Sequence, residues 1–197
     1  MLFFSGLSIS NIDDAGHPSV HVSGRIVSGR TSGRNPPPAD PLNTDLLFVA
    51  HLLAGENDGQ ARAKDLAAAV ADAHVSTVIA TQFVRTQATA KPVADAAGKT
   101  TIIVPATADP KAHADSVAAK VRAAPAGSAV LVVGHSNTIP LIIAALGGPK
   151  MQDLCDAEYS NMFVMQMAGG GSPRLVRAKY GVSDPMGSEK CTRPMKK

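Results

Sequence analysis

Short apolar segments alternate with segments of helical periodicity between residues 44 and 181, and this alternation limits the possible folds more than any other feature of the sequence. Continuous apolar or β-branched runs are typical of buried strands, whereas apolar residues that recur every three or four positions are typical of amphipathic helices. We predict strands at residues 46–50, 75–81, 100–104, 129–133, 161–167 and 174–180, and helices from 57 or 58 to 73, at 85–96, from 110 and at 138–146.

The alternation of strands and helices predicts an α/β protein. Strands joined by helices form a mostly parallel sheet, and the helices cover both of its faces, so the expected architecture is a three-layer α/β/α sandwich. Ligands of such sheets bind beyond the carboxyl ends of the strands. Functional residues are therefore expected directly after the predicted strands.

Local signals predict where the helices begin and end. Asn57 or Asp58 is expected to cap the first helix, and Gly98 is expected to end the second. Asp109 followed by Pro110 is typical of a helix start, because aspartate caps free N–H groups and proline is tolerated in the first turn.

The two flanks differ from this region in composition. Residues 1–43 are rich in Gly, Ser, Pro and Arg without a persistent period, and we expect a flexible arm there. Residues 182–197 are expected to form a basic tail. The folded domain is thus predicted to span residues 44–181.

Composition disfavours several classes of protein. Hydrophobic residues make up 45% of the chain, enough for a sizeable core, and a net charge of +3 with scattered basic residues does not indicate nucleic-acid binding. No apolar run is long enough to span a membrane and no secretory signal is recognisable, which favours the cytoplasm. Cys155 and Cys191 lack the spacing of a zinc site and are expected to be reduced, unpaired thiols. The sequence predicts no oligomeric state.

Two histidines and an arginine follow predicted strands. His51 follows the first strand, Arg85 lies shortly after the second, and His135 follows the fourth. Arginine offers a rigid fork of donors that suits phosphate, and histidine titrates near neutral pH. Backbone N–H groups at Ser136 and Asn137 precede the fourth helix and are expected to point to the same place. These residues predict a phosphate site at one edge of the sheet.

The same residues suit nucleophilic catalysis. A neutral His51 imidazole that attacks phosphorus would form a covalent phosphohistidine, and the other groups would stabilise the charge on the transferring oxygens. Arginine at a helix N-terminus opposes the helix dipole at a cost of about 0.3–1 kcal/mol, which favours a bound anion as the reason for Arg85.

Four motifs, in order, resemble those of the histidine phosphatase (phosphoglycerate mutase-like) superfamily. Residues 85–90 resemble its R-x-x-x-T-A helix start, and residues 134–138 read G-H-S-N-T, a form of its second-histidine motif. Residues 59–63 match G-x-x-R/Q-A, and residues 158–164 resemble the closing strand. The resemblance covers residues 44–181. It implies the phosphoglycerate mutase-like fold and hydrolysis of a phosphomonoester through a phosphohistidine, with no metal or organic cofactor.

One position departs from the family's pattern. The first motif of the family reads R-H-G or R-H-A, whereas this chain has Ala50-His51-Leu52, so the arginine that binds the transferred phosphoryl group is missing. Its loss is expected to cost several kcal/mol, by analogy with about 2.7–4 kcal/mol for one oxyanion-hole donor. Two hypotheses stay open: slow hydrolysis of a small phosphorylated molecule or phosphoprotein, or an inactive relative that binds such a ligand.

The resemblance leaves the general acid unassigned. Family members often use a Glu or Asp after the third strand to protonate the leaving oxygen. Asp109 and His113 lie in that region. Asp109 is explained at least as well by its position as a helix cap.

Two other α/β folds fit the sequence less well. An α/β-hydrolase interpretation of residues 134–138 requires a histidine later in the chain than the serine, and none follows His135. A dinucleotide-binding fold requires G-x-G-x-x-G after a strand, and the chain has no such motif.

Overall fold

The computed structural model of the chain describes residues 45–50, 56–155, 158–167 and 172–184. Strands and helices alternate through most of these residues, as the sequence predicts. The strands are β1 (Asp45–Ala50), β2 (Val75–Ala80), β3 (Ile102–Ile103), β4 (Ala129–Gly134), β5 (Asn161–Gln166) and β6 (Arg174–Lys179). The helices are α1 (Glu56–Ala69), α2 (Val84–Ala97), α3 (Pro110–Arg122) and α4 (Ile139–Ala145), with a short 3-10 turn at Ala71–Ala73.

All six described strands belong to one sheet in the order β3-β2-β4-β1-β5-β6. The pairs β3–β2, β2–β4 and β4–β1 are parallel, whereas β5 runs antiparallel to both β1 and β6. The sheet is therefore mostly parallel, as expected. Since β2 and β4 are neighbours with Ala80 opposite Val133, the loops that follow these two strands leave the sheet at the same edge.

Helices cover both faces of the sheet, which confirms the three-layer α/β/α architecture. Side chains of β4 alternate between two cores: Val130 and Val132 pack with α3 and α4, whereas Leu131 and Val133 pack with α1 and α2. All six residues of β4 are buried, because the strand is covered on both faces and paired on both edges.

The helix ends match two of the three local predictions. Gly98 ends α2 in the left-handed conformation, at φ 62°, and Asp109 caps α3 by accepting hydrogen bonds from the backbone. The expected cap of α1 is wrong, because the helix begins at Glu56 and includes Asn57 and Asp58 in its first turn. An acidic residue in a first turn complements the helix dipole, so Asp58 also suits a position inside the helix.

The expectation of reduced thiols is wrong for Cys155, which is disulfide-bonded. Cys191, the other cysteine, lies outside the described residues, as do the arm predicted at 1–43 and the end of the tail at 185–197. The residues on either side of a cysteine do not show whether it forms a disulfide, because the bond depends on the folded geometry around it. None of the helices in the described ranges is both long and apolar enough to cross a membrane.

Packing on α4 gives a direct test of this architecture. Ile142 is fully buried between α4 and the sheet, whereas the adjacent Leu141 is 37% exposed. Ile142→Ala is expected to lower the free energy of unfolding by about 2–5 kcal/mol, because it leaves a cavity. Leu141→Ala, the matched control, is expected to lower it by less than about 1 kcal/mol. Urea denaturation measures both values, and equal losses would contradict the assigned orientation of the helix.

Candidate functional site

The loops after β2 and β4 form the candidate site. Residues 81–83 connect β2 to α2, and residues 135–138 connect β4 to α4. Because the two strands are parallel neighbours, both loops lie at the carboxyl edge of the sheet, where ligands of such sheets bind.

The loop after β4 is tightly folded around Gly134 and Thr138. A Cβ atom at position 134 would lie 2.8 Å from Ile139 Cδ1 and 3.1 Å from Thr138 Oγ1, so only glycine fits there without displacing side chains. The backbone N–H of His135 donates to Thr138 Oγ1 at 3.0 Å, and the N–H groups of Thr138 and Ile139 donate to the His135 carbonyl. These bonds fix the backbone that carries the imidazole.

Three side chains hold the His135 ring, which is 7% exposed. Its Nε2 lies 3.0 Å from Thr81 Oγ1, and its Nδ1 lies 3.3 Å from Arg85 Nη2. The ring of Phe83 packs against it edge to face, with centroids 5.3 Å apart. Both ring nitrogens and one ring edge are therefore occupied, and the imidazole has a defined orientation.

The surroundings of His135 favour its neutral form. Burial, then the positive charge of Arg85 and then His113 lower the pKa of His135 from 6.5 to about 4. Desolvation disfavours the charged imidazolium, and a neighbouring guanidinium disfavours it further. In the free cleft at pH 7, His135 is therefore neutral and Arg85 is charged.

The guanidinium of Arg85 has room for another partner. Its Cζ lies 4.5 Å above the ring of Phe83, in a cation–π contact, and Nη2 faces His135. Its Nε is buried and has no hydrogen-bond partner among the described residues. An unsatisfied buried donor on a charged group favours binding of an acceptor, an anion above all.

The described residues at this edge line one cleft of about 490 Å³. Arg85 supplies the one formal charge among these lining side chains, so the cleft is electropositive. The lining residues are Phe83, Arg85, Ala106, Thr107, Pro110, His135, Ser136, Asn137, Thr138 and Tyr159.

Of the residues predicted for the site, four line this cleft: Arg85, His135, Ser136 and Asn137. His51 lies outside the described residues, although β1 ends immediately before it at Ala50. Within the described ranges, no three His, Cys, Asp or Glu residues are grouped so that they could hold a metal ion.

Asp109 and His113 do not line the cleft. The Asp109 carboxylate accepts hydrogen bonds from the N–H groups of Lys111 and Ala112, as a helix cap does. His113 is 1% exposed, its Nδ1 lies 2.9 Å from the Pro105 carbonyl oxygen, and burial lowers its pKa. The general-acid role of either residue stays a prediction without support from this geometry.

Sequence reasoning assigned no role to three residues that shape the cleft. Gln82 makes reciprocal hydrogen bonds with the backbone of Ala106, at 3.1 Å and 2.8 Å, and so holds the loop after β3 against the cleft. Tyr159 lines the cleft, and Asp184 anchors its backbone by accepting the Tyr159 N–H at 2.7 Å. Thr81 contacts His135. The sequence signal that could have identified Thr81 is its position at the carboxyl end of a predicted parallel strand.

The fold is similar to that of solved structures. No protein-family model matches the sequence, and no curated protein does either. The structure is similar to phosphoglycerate mutase from Plasmodium falciparum, with a TM-score of 0.50 and 17% identity over 78% of this chain and 96% of the mutase. It is also similar to the product of the open reading frame Rv3214 from Mycobacterium tuberculosis, with a TM-score of 0.50 and 16% identity over 72% of this chain and 98% of that one. The chain therefore has the phosphoglycerate mutase-like fold, as the sequence motifs predict.

The low pKa of His135 predicts a pH dependence of stability. The unfolded chain binds a proton at this residue below pH 6.5, whereas the folded chain does so only near pH 4, so stability falls as the pH falls through this window. We expect the His135 ring signals to titrate near pH 4 in NMR spectra. The decrease in unfolding free energy between pH 7 and pH 5 should be smaller in His135→Asn than in the unsubstituted chain. Titration near pH 6.5 would contradict the assigned burial.

Proposed function

We propose that the chain is a phosphomonoesterase of the histidine phosphatase superfamily, with its catalytic domain at residues 44–181. One observation carries the proposal: the Arg85 guanidinium and the His135 imidazole meet, 3.3 Å apart, in a cleft whose described lining has no other charged group. Two nitrogen-rich side chains around an electropositive cleft suit a phosphate dianion. The substrate would be a small phosphorylated molecule or a phosphoprotein.

Phosphate binding would change the protonation of His135. In the free cleft the ring is neutral, because burial and Arg85 oppose a second positive charge. A bound dianion reverses the sign of the local field and raises the pKa of the ring, so that His135 takes up a proton and donates Nδ1–H to the phosphate. Binding of the dianion is thus coupled to uptake of one proton.

In the proposed reaction His51 is the nucleophile. The backbone of β1 supports this role, because Ala50, the residue before His51, pairs with Gly134, the residue before His135. A neutral His51 nitrogen attacks phosphorus, the bond to the leaving oxygen breaks, and a phosphohistidine forms; water then displaces the histidine and releases phosphate. Arg85 and protonated His135 stabilise the charge on the transferring oxygens in both steps.

The cleft favours a phosphatase over a mutase. A mutase has to hold and reorient a substrate that carries a second anionic group, which calls for further cations. Among the described residues that line the cleft, Arg85 alone is cationic at neutral pH. The proposed substrate therefore presents one phosphate to the cleft.

A specific feature supports a second hypothesis, an inactive protein that binds phosphate or a phosphoprotein. The family's first motif has an arginine where this chain has Ala50, and that arginine binds the transferred phosphoryl group. Loss of one such donor lowers turnover by about 10²–10³-fold in other enzymes. The two hypotheses share the binding site and differ in turnover.

Hydrolysis of p-nitrophenyl phosphate near pH 6 tests the proposal. Arg85→Ala is expected to lower kcat/KM by about 10²–10³-fold, because it removes the cation that stabilises the transferring group. Arg174→Ala is the matched control and should retain activity. This exposed arginine of β6 pairs with Gln166, which pairs with Asp45 at the start of β1, and so lies at the opposite end of the sheet from the site. Equal activity in both variants would contradict the assigned site.

Two further variants separate the two hypotheses. His51→Ala and His135→Ala are both expected to abolish hydrolysis if a phosphohistidine forms on His51. Activity that is lost only in His135→Ala would mean that His51 is not the nucleophile. An inactive chain whose melting temperature rises with inorganic phosphate, but not in Arg85→Ala, would support the binding protein instead.

A further inference from the structure

A chain of buried hydroxyl groups runs from His135 into the start of α2. Thr81 is 2% exposed and Thr86 is fully buried. Thr81 Oγ1 lies 3.0 Å from His135 Nε2 and 2.8 Å from Thr86 Oγ1. Thr86 Oγ1 in turn lies 2.8 Å from the carbonyl oxygen of Phe83 and 3.2 Å from that of Thr81. This series of hydroxyl groups therefore ends on two backbone carbonyl groups.

The carbonyl groups set the direction of every hydrogen bond in this series of hydroxyl groups. A carbonyl oxygen only accepts, so the single hydroxyl hydrogen of Thr86 is donated to one of these two carbonyl groups and not to Thr81 Oγ1. Thr86 Oγ1 then accepts the hydroxyl hydrogen of Thr81. Thr81 Oγ1 has no second hydrogen to offer and accepts from His135, which places the ring hydrogen on Nε2 and the lone pair on Nδ1.

We propose that Thr81 is a positioning residue that holds His135 as the Nε2–H tautomer and so keeps Nδ1 directed into the phosphate site. Arg85 Nη2, 3.3 Å from Nδ1, points a donor at the lone pair that this tautomer provides. When a phosphate dianion draws the guanidinium to itself, Nδ1 takes up a proton from solvent, and the resulting Nδ1–H donates a hydrogen bond to the ligand. Thr81 accepts from Nε2–H before and after this step, so the ring keeps its orientation.

The inference depends on the proposed function only for the identity of the ligand. The tautomer is a property of the free protein, set by Thr81 and Thr86, and it is measurable without phosphate. Arg85 alone also favours the Nε2–H form, because its Nη2 faces Nδ1. A test therefore has to remove Arg85 first and ask whether the hydroxyl chain still fixes the tautomer.

NMR of the full chain with ¹⁵N-labelled histidine makes this test, in phosphate-free buffer near pH 7. Correlations between ring protons and ring nitrogens distinguish a protonated from an unprotonated nitrogen, and His135→Gln identifies the signals of His135 by their loss. We expect Arg85→Ala to keep the hydrogen on Nε2. The double variant Arg85→Ala with Thr81→Val should show a mixture of tautomers, whereas Arg85→Ala with Thr81→Ser should restore the Nε2–H form.

The matched control is Thr89→Val in the Arg85→Ala background. Thr89 is fully buried on α2 and donates its hydroxyl to the Arg85 carbonyl at 3.0 Å, so its removal costs a similar buried hydrogen bond without touching the ring. It should leave the tautomer unchanged. A hydrogen on Nδ1 in Arg85→Ala, or a pure Nε2–H form in the Thr81→Val double variant, would overturn the proposal. The first of these outcomes is decisive even if Thr81→Val does not fold.

Calorimetry with inorganic phosphate tests whether the Thr81 acceptor supports the oriented, protonated ring when the ligand binds. With Arg85 intact, Thr81→Val is expected to weaken phosphate binding about tenfold, and Thr81→Ser should restore it. Unchanged affinity in Thr81→Val would overturn the positioning role. No phosphate binding by the unsubstituted chain would instead refute the proposed function and leave the tautomer result standing.

Discussion

The parallel pairing of β2 with β4 is the constraint on which the rest of the site depends. With Ala80 opposite Val133, the two strands end together, and the residues that follow them meet. Thr81 then reaches His135 across 54 positions of sequence, and the first turn of α2 brings Arg85 to the same ring. A shift of one residue in this register would turn every side chain of the shifted strand to the opposite face, and both cores would lose their packing.

The second constraint is electrostatic. The fold buries an imidazole beside a guanidinium, and both burial and charge oppose protonation of the ring. Without a ligand, the cleft has its positive charge on Arg85 alone, next to the neutral His135 imidazole, which is able to take up a proton. In the proposed function, a bound dianion offsets the charge of Arg85, and the protonated ring adds a second positive charge beside the ligand. Because protonation of the ring costs free energy at neutral pH, the proposed coupling makes the affinity for the dianion fall as the pH rises above the pKa of the ring in the free protein.

Elements with strong local signals were predictable, and those that depend on distant contacts were not. The apolar run of β4 identified that strand to within a residue, and Asp109-Pro110 identified the start of α3. The strand predicted at 100–104 is reduced to Ile102–Ile103, because it lies at the sheet edge and pairs on one side only. The burial of His113 and the disulfide at Cys155 depend on chain segments that no local pattern connects to them. At the site, Arg85 and His135 stood out by residue type, whereas Thr81 did not, because a buried threonine near a strand end is common in any sheet.

The substitution at Ala50 changes how the remaining groups share the proposed chemistry. In a site with two arginines, a transferring phosphoryl group is stabilised by permanent charges, and a histidine in the position of His135 adds a hydrogen bond. Here the described lining offers one permanent charge, so protonated His135 has to supply a larger part of the stabilisation. That form is costly in the free cleft and favourable only with the dianion bound. In the proposed function, the residue that keeps the ring oriented through this change of charge therefore matters more than it would in a site with a second arginine. Thr81 Oγ1 can accept from the ring in both of its protonation states and meets that need.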